Sequence, residues 1–258
     1  MNKRGFSFGL LIVSLALSST ACHTKPRLPD YRYRMTVEVE TPEGLRSGSS
    51  VIEVSSSIAS KETFPMPNKV STQVHGEAVA VDLGKGRVLF ALLNKRGLAE
   101  GANNYAFDAL FTKPWAGADE YLREVNELVT RRDVAVLPPH DPHLDMQSYK
   151  SGVDTVVRSG PLPKELLFGK YPMLVTFGDL RDPRSVIAVD PADLAKAFGS
   201  GIVLKRITVQ PTDAAVTTGI EKRLGWLGPH PEPSLNPAHG PLDFSTAATV
   251  HQGDLLRK

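Results

Sequence analysis

Four possible metal ligands in one short stretch are the densest such set in this chain: the two histidines and the aspartate of His140-Asp141-Pro142-His143, with Asp145 close behind. Two imidazoles and two carboxylates within six residues could present nitrogen and oxygen ligands to zinc from a single loop. A pair of histidines on a helix would need a spacing of four, and Pro142 works against a helix here. A structural zinc site would also need ligands from elsewhere. His75-Gly76-Glu77 offers them, but nothing in the sequence joins the two segments. The reading we prefer is a solvated loop that follows Pro138-Pro139, so no cofactor is expected. Zinc held by His140, His143 and Asp145 is the alternative.

Other chemistry-bearing patterns have simpler readings. Gly84-Lys85-Gly86-Arg87 lacks the spacing of a phosphate-binding loop and sits between two strand-like runs, which makes it a hairpin turn. Tyr31-Arg32-Tyr33-Arg34 interleaves rings and cations as some nucleic-acid surfaces do. On a strand, however, the tyrosines face one way, into a core, and the arginines the other, toward acids. Trp115 and Trp226 read as core or interface filler. The chain has no Gly-x-Ser-x-Gly elbow, no HExxH and no cysteine pair. No catalytic residue is assigned.

The single cysteine, Cys22, has a different role. Lys3 and Arg4 precede an apolar run from Phe6 to Leu17, and Ser18-Ser19-Thr20-Ala21 follow it. That is the layout of an export signal over residues 1–21. The run is about a dozen residues, short of the roughly 20 a membrane span needs. A cysteine directly after Ala21 resembles the bacterial lipobox, whose thiol is acylated, although Ser19 stands where that motif favours Leu. His23 in the second mature position favours, by analogy with lipoprotein sorting, the outer membrane. Removing residues 1–21 takes away Lys3 and Arg4 and no acid, which leaves the mature chain formally neutral. It therefore has no strong field to attract nucleic acid. Residues 22–30 read as a tether, spanning at most roughly 25–30 Å.

Elements able to position side chains begin at Tyr31. Ten residues alternate strictly to Glu40, the mark of a half-buried strand, and Pro42-Glu43-Gly44 turns it toward a partner at 50–54. Hairpins are expected at 78–83 with 87–93 and at 173–177 with 185–189, and a further strand at 202–209. Between Asp119 and Arg132, Tyr121, Leu122, Val125, Leu128 and Val129 form one helical stripe. Asp119–Arg123 and Glu127–Arg131 are spaced to pair along it. Asp190 and Pro191 should start a short helix that Gly199 stops, and Thr218 with Glu221 forms a capping-box pattern. These elements predict an α+β fold, with mainly antiparallel, sandwich-like sheets and three or four short helices, in a single domain over 31–227. Five prolines between Pro229 and Pro241 mark 228–258 as a tail that adds little buried apolar area.

The stretches Tyr31 to Gly44, Ser47 to Val54, Leu204 to Val209 and Val216 to Leu224 together resemble a group of uncharacterised bacterial envelope lipoproteins with no assigned activity. The resemblance implies one unit over about 31–227 and transfers no functional residue. Taken together, the sequence points to an exported, lipid-anchored envelope protein facing the periplasm. It would act as a binding or structural module on a membrane or an envelope protein partner. A periplasmic hydrolase, metal-assisted through the histidine loop, is the alternative.

Overall fold

Tyr31–Thr41 forms strand β1, and its alternation runs the full eleven residues. Tyr31, Tyr33, Met35, Val37 and Val39 are buried on one face, and the charged and polar residues between them take the other. The computed structural model describes residues 28–60, 66–95, 101–111, 117–139, 170–228, 233–238, 240, 243 and 245–258. Pro42 and Glu43 turn the chain, and β2 (Gly44–Ile58) returns along the whole of β1, Tyr31 opposite Val54 and Thr41 opposite Gly44. Strands β3 (Val70–Glu77), β4 (Val79–Asp82) and β5 (Val88–Ala91) follow. Helices α1 (Tyr105–Leu110) and α2 (Ala118–Leu128) precede β6 (Ala135–Val136), β7 (Leu174–Phe177) and β8 (Val186–Val189). Helix α3 (Ala195–Phe198), β9 (Val203–Pro211), α4 (Thr246–Thr249), α5 (Gln252–Leu255) and β10 (Leu256–Arg257) complete the order.

Among the described residues the strands make two antiparallel sheets, one ordered β10-β3-β2-β1-β9-β6 and the other β4-β5-β7-β8. The expected α+β sandwich is the fold observed. The chain passes from the first sheet to the second between β3 and β4. Gly76 sits there at φ +148°, where a Cβ would press on Ile52 at 3.2 Å. The sheets meet closely at β2 and β4: a Cβ on Gly48 would lie 2.1 Å from the Ala80 carbonyl oxygen. Gly84, Lys85 and Gly86 all take positive φ between β4 and β5. The Asp82 carboxylate accepts from the Gly84 N–H, so this segment is the hairpin turn expected.

Two cores share the smaller sheet. Leu89, Ala91 and Leu93 face the first core with Tyr33, Val37 and Val209. Val88, Phe90 and Leu92 face the second, against Ile220, Leu224, Leu235, Val250 and Leu255. Strand β5 is buried on both faces, which is why its sequence, Val-Leu-Phe-Ala, is continuously apolar. Helices α1 and α2 cover one end of the larger sheet. Phe107 of α1 packs edge-on to Tyr31 and beside Tyr121 of α2, with centroids 5.7 and 5.2 Å apart. Tyr121 hydrogen-bonds the Ser56 hydroxyl at 2.6 Å. The Tyr31 and Tyr33 hydroxyls donate to the carbonyls of Asn103 and Ala102.

Several local expectations are corrected. The segment past Leu227 is packed rather than peripheral: Leu235, Ala247, Val250, Leu255 and Leu256 are all buried. Leu235 lies among the prolines and the other four beyond them, and β10 is anchored on β3 through Leu256 opposite Glu77. Within the expected tether, Leu28 belongs to the body: it is buried and donates its N–H to the Ser56 carbonyl. Thr218 forms no cap. Gly219, at φ +122°, intervenes before the short 3-10 turn at Ile220–Lys222, and the buried Glu77 carboxylate takes the Ile220 N–H instead. Asp190 closes a turn onto the Ala192 N–H, and α3 begins only at Ala195, ended as expected by Gly199. Arg123 reaches Glu120 rather than Asp119, while Glu127–Arg131 forms as expected at 2.9 Å.

Candidate functional site

The larger sheet carries a cross-strand row on its exposed face. Register places His75 of β3 beside Glu53 of β2, and Glu53 beside Arg32 of β1. The Thr212 N–H, just past β9, donates to the Arg32 carbonyl. Side chains follow the register. Arg32 donates from Nε to Glu53 Oε2 at 2.6 Å, and its Nη2 lies 2.6 Å from the same oxygen. His75 Nδ1 lies 3.5 Å from Glu53 Oε1. Partial burial pushes the Glu53 carboxyl up, but hydrogen bonds from Arg32 and His75 outweigh it and hold the group below its ordinary value. The arginines of Tyr31-Arg32-Tyr33-Arg34 thus face outward as expected.

At the end of this row is a groove of about 210 Å³. Arg32 and Glu53 form one wall; Arg132, just beyond α2, and Asp213, just beyond β9, form the other. Tyr31, Leu128 and Val129 supply the apolar floor, and Asp30 and Thr212 complete the rim. Arg132 pairs with Asp213 through Nη2 and donates through Nη1 to the Val129 and Arg131 carbonyls. The lining has two guanidinium groups, three carboxylates and one aliphatic hydroxyl, and no histidine, cysteine, serine or lysine. Guanidinium stays charged and is a poor proton carrier. The groove is therefore equipped to pair with charges of both signs.

A second charged cluster is structural. Asp108 of α1 lies between Lys95 at 2.5 Å and Lys170 at 2.6 Å, with all three side chains largely buried. Lys95 also sits 5.8 Å from the centre of the Tyr105 ring. Three chain segments far apart in sequence are clasped by one carboxylate.

His140, His143, Asp145, Trp115 and Cys22 lie outside the described residues. Among the described residues, no group of three or more His, Cys, Asp or Glu side chains is placed to hold a metal ion, and no helix is long and apolar enough to cross a membrane. Trp226 is core filler, its ring 5.7 Å from Phe177 and its Nε1 donating to the Leu180 carbonyl. Of the groove residues, sequence reasoning singled out Tyr31 and Arg32 as a pair. It met Arg132 only as a helix-end charge and passed over Asp30, Glu53, Thr212 and Asp213. The Arg32–Glu53 contact follows from the register of the first hairpin. The Arg132–Asp213 contact has no local signal, because it depends on where α2 ends relative to β9. No family model matches the chain, and no curated protein or solved structure matches it.

Proposed function

We propose that the protein is an exported binding module of the bacterial cell envelope, anchored by acylation of Cys22 and facing the periplasm from the outer membrane. The groove is its binding site, and the observation that carries the reading is where the groove sits. Its rim includes Asp30, and Leu28 is buried against the larger sheet. Five residues lie between Cys22 and Leu28, a reach of at most about 20 Å. An acyl anchor at Cys22 would hold this corner close to the bilayer. The exposed face of the larger sheet, with its His75–Glu53–Arg32 row, is left for an envelope protein partner.

Labelled palmitate fed to growing cells tests the anchor. Label should enter the wild-type band and be lost in Cys22→Ser, which should leave the membrane fraction or stay unprocessed. A wild-type protein recovered wholly soluble with an unmodified Cys22 would remove the anchor from this reading.

A further inference from the structure

The chemistry of the groove narrows what it can bind, and the inference here rests on the reading of the groove as a binding site. Both signs of charge line the same small space. A simple anion entering it would gain from Arg32 and Arg132 but be repelled by Glu53, Asp213 and Asp30. A simple cation would meet the opposite balance. A zwitterion can satisfy both sets.

The two ion pairs differ in how easily they can be shared. Arg32 and Glu53 form the fixed wall, with the Glu53 side chain only 18% exposed. Arg32 spends Nε and Nη2 on Glu53, and its Nη1 donates to no described residue. The Arg132–Asp213 pair is exposed, at 50% and 82%. Such a pair stabilises the fold by little, so a ligand can exchange with it at low cost. Guanidinium groups suit the oxygens of a phosphate, which they bind in pairs. An ammonium carries three donors for the carboxylate that Arg132 releases. A cavity of about 150 Å³ suffices to hold a benzene ring, so the groove, at about 210 Å³, has room for a small zwitterion such as a phosphoethanolamine group.

We infer that the groove binds a phosphoethanolamine group, with the phosphate on Arg32 and Arg132 and the primary ammonium on Asp213. The group could come from a lipid headgroup at the adjoining membrane surface or from a free phosphoethanolamine compound.

The test is calorimetric titration of O-phosphoethanolamine into the Cys22→Ser chain. Because Cys22→Ser removes the thiol that would be acylated, the outcome is independent of whether the wild type is acylated. Saturable binding is expected, weakened at least about tenfold by Arg132→Gln and by Asp213→Asn. Both side chains are half exposed or more, so near-ultraviolet circular dichroism should confirm that the variants fold. Inorganic phosphate alone and ethanolamine alone should each bind at least about tenfold more weakly than the joined compound. Flotation with vesicles then separates the sources. Preference for phosphatidylethanolamine over phosphatidylcholine, whose quaternary ammonium has no N–H, supports the lipid headgroup. Binding of the free compound without that preference supports the soluble source. No binding of either form up to about 10 mM, phosphate alone binding as well as phosphoethanolamine, or folded variants that bind unchanged would each overturn the proposal.

Discussion

Replacing Leu255 by alanine should cost the protein a large part of its stability, although Leu255 lies far past the proline-rich stretch. Its side chain is fully buried in the second core, and its carbonyl accepts from the Ala78 N–H where the chain changes sheets. Truncating such a leucine typically costs about 2–5 kcal/mol, the transfer loss plus the cavity left behind. In a domain of this size each kcal/mol moves the melting temperature by about 2–4 °C, so a fall of roughly 5–20 °C is expected. Deleting 228–258 should be worse. Leu235, Val250 and Leu255 together lose roughly 4–9 kcal/mol of burial, and Phe90 and Phe177 lose their cover. That is comparable with the whole stability of a typical domain, about 5–15 kcal/mol. Thermal unfolding followed by circular dichroism measures both. Leu45→Ala is the control, since Leu45 is 53% exposed and should change stability by less than about 0.5 kcal/mol. A Leu255→Ala protein melting with the control, or a truncated chain with native near-ultraviolet signals, would refute the second core as described.

Three further outcomes follow from particular contacts. Asp108→Asn leaves the Lys95 and Lys170 ammoniums largely buried without their shared carboxylate, and urea titration should show a loss of about 3–5 kcal/mol. Gly48→Ala puts a methyl into the Ala80 carbonyl, and should separate β2 from β4 enough to lower the melting temperature well beyond any exposed Gly→Ala change. The third concerns pH. Burial, with Glu120 nearby, pushes the Glu124 carboxyl up. Its folded-state value therefore lies above its unfolded one, the folded chain takes the proton first, and stability rises as pH falls through the folded value. Buried Glu77 and Asp254 act in the same direction. Unfolding between about pH 8 and about pH 5 should show that rise in the wild type and a smaller one in Glu124→Gln; equal slopes would count against it.

Elements whose own residues carry a period were legible in advance. The β1 alternation and the stripe of α2 arise from burial against one face, the hairpin at Gly84-Lys85-Gly86 from glycines suited to positive φ, and β7 from an apolar run buried on both faces. What was missed arises from distant partners. Strand β3 reads as polar, Val-Ser-Thr-Gln-Val-His, because its early residues are half exposed, and only its pairing with β2 makes it a strand. Helix α1 is six residues long and shows too little sequence for a period to appear. Thr218 and Glu221 match a capping box letter for letter, yet Glu77, about 140 positions earlier, supplies the acceptor. The same reason hid the groove: its walls come from β1, β2, the end of α2 and the end of β9, and register alone brings them together.

The sharing of one sheet by two cores sets the order in which this chain can become finished. Sheet β4-β5-β7-β8 presents Phe90, Val175 and Phe177 on its far side, and the residues that cover them lie largely beyond Ile220. Until Leu235 to Leu256 have arrived, a nascent chain carries an aromatic face open to water. Such a face is adhesive. Chaperones and proteases would meet that surface on every copy in which this segment has not docked. Closure by β10 on β3, across some 180 positions of chain, is also among the slowest kinds of contact to form. The segment from Leu235 to Leu256 would thus act as a seal, and its docking removes this face from the view of the machinery around it.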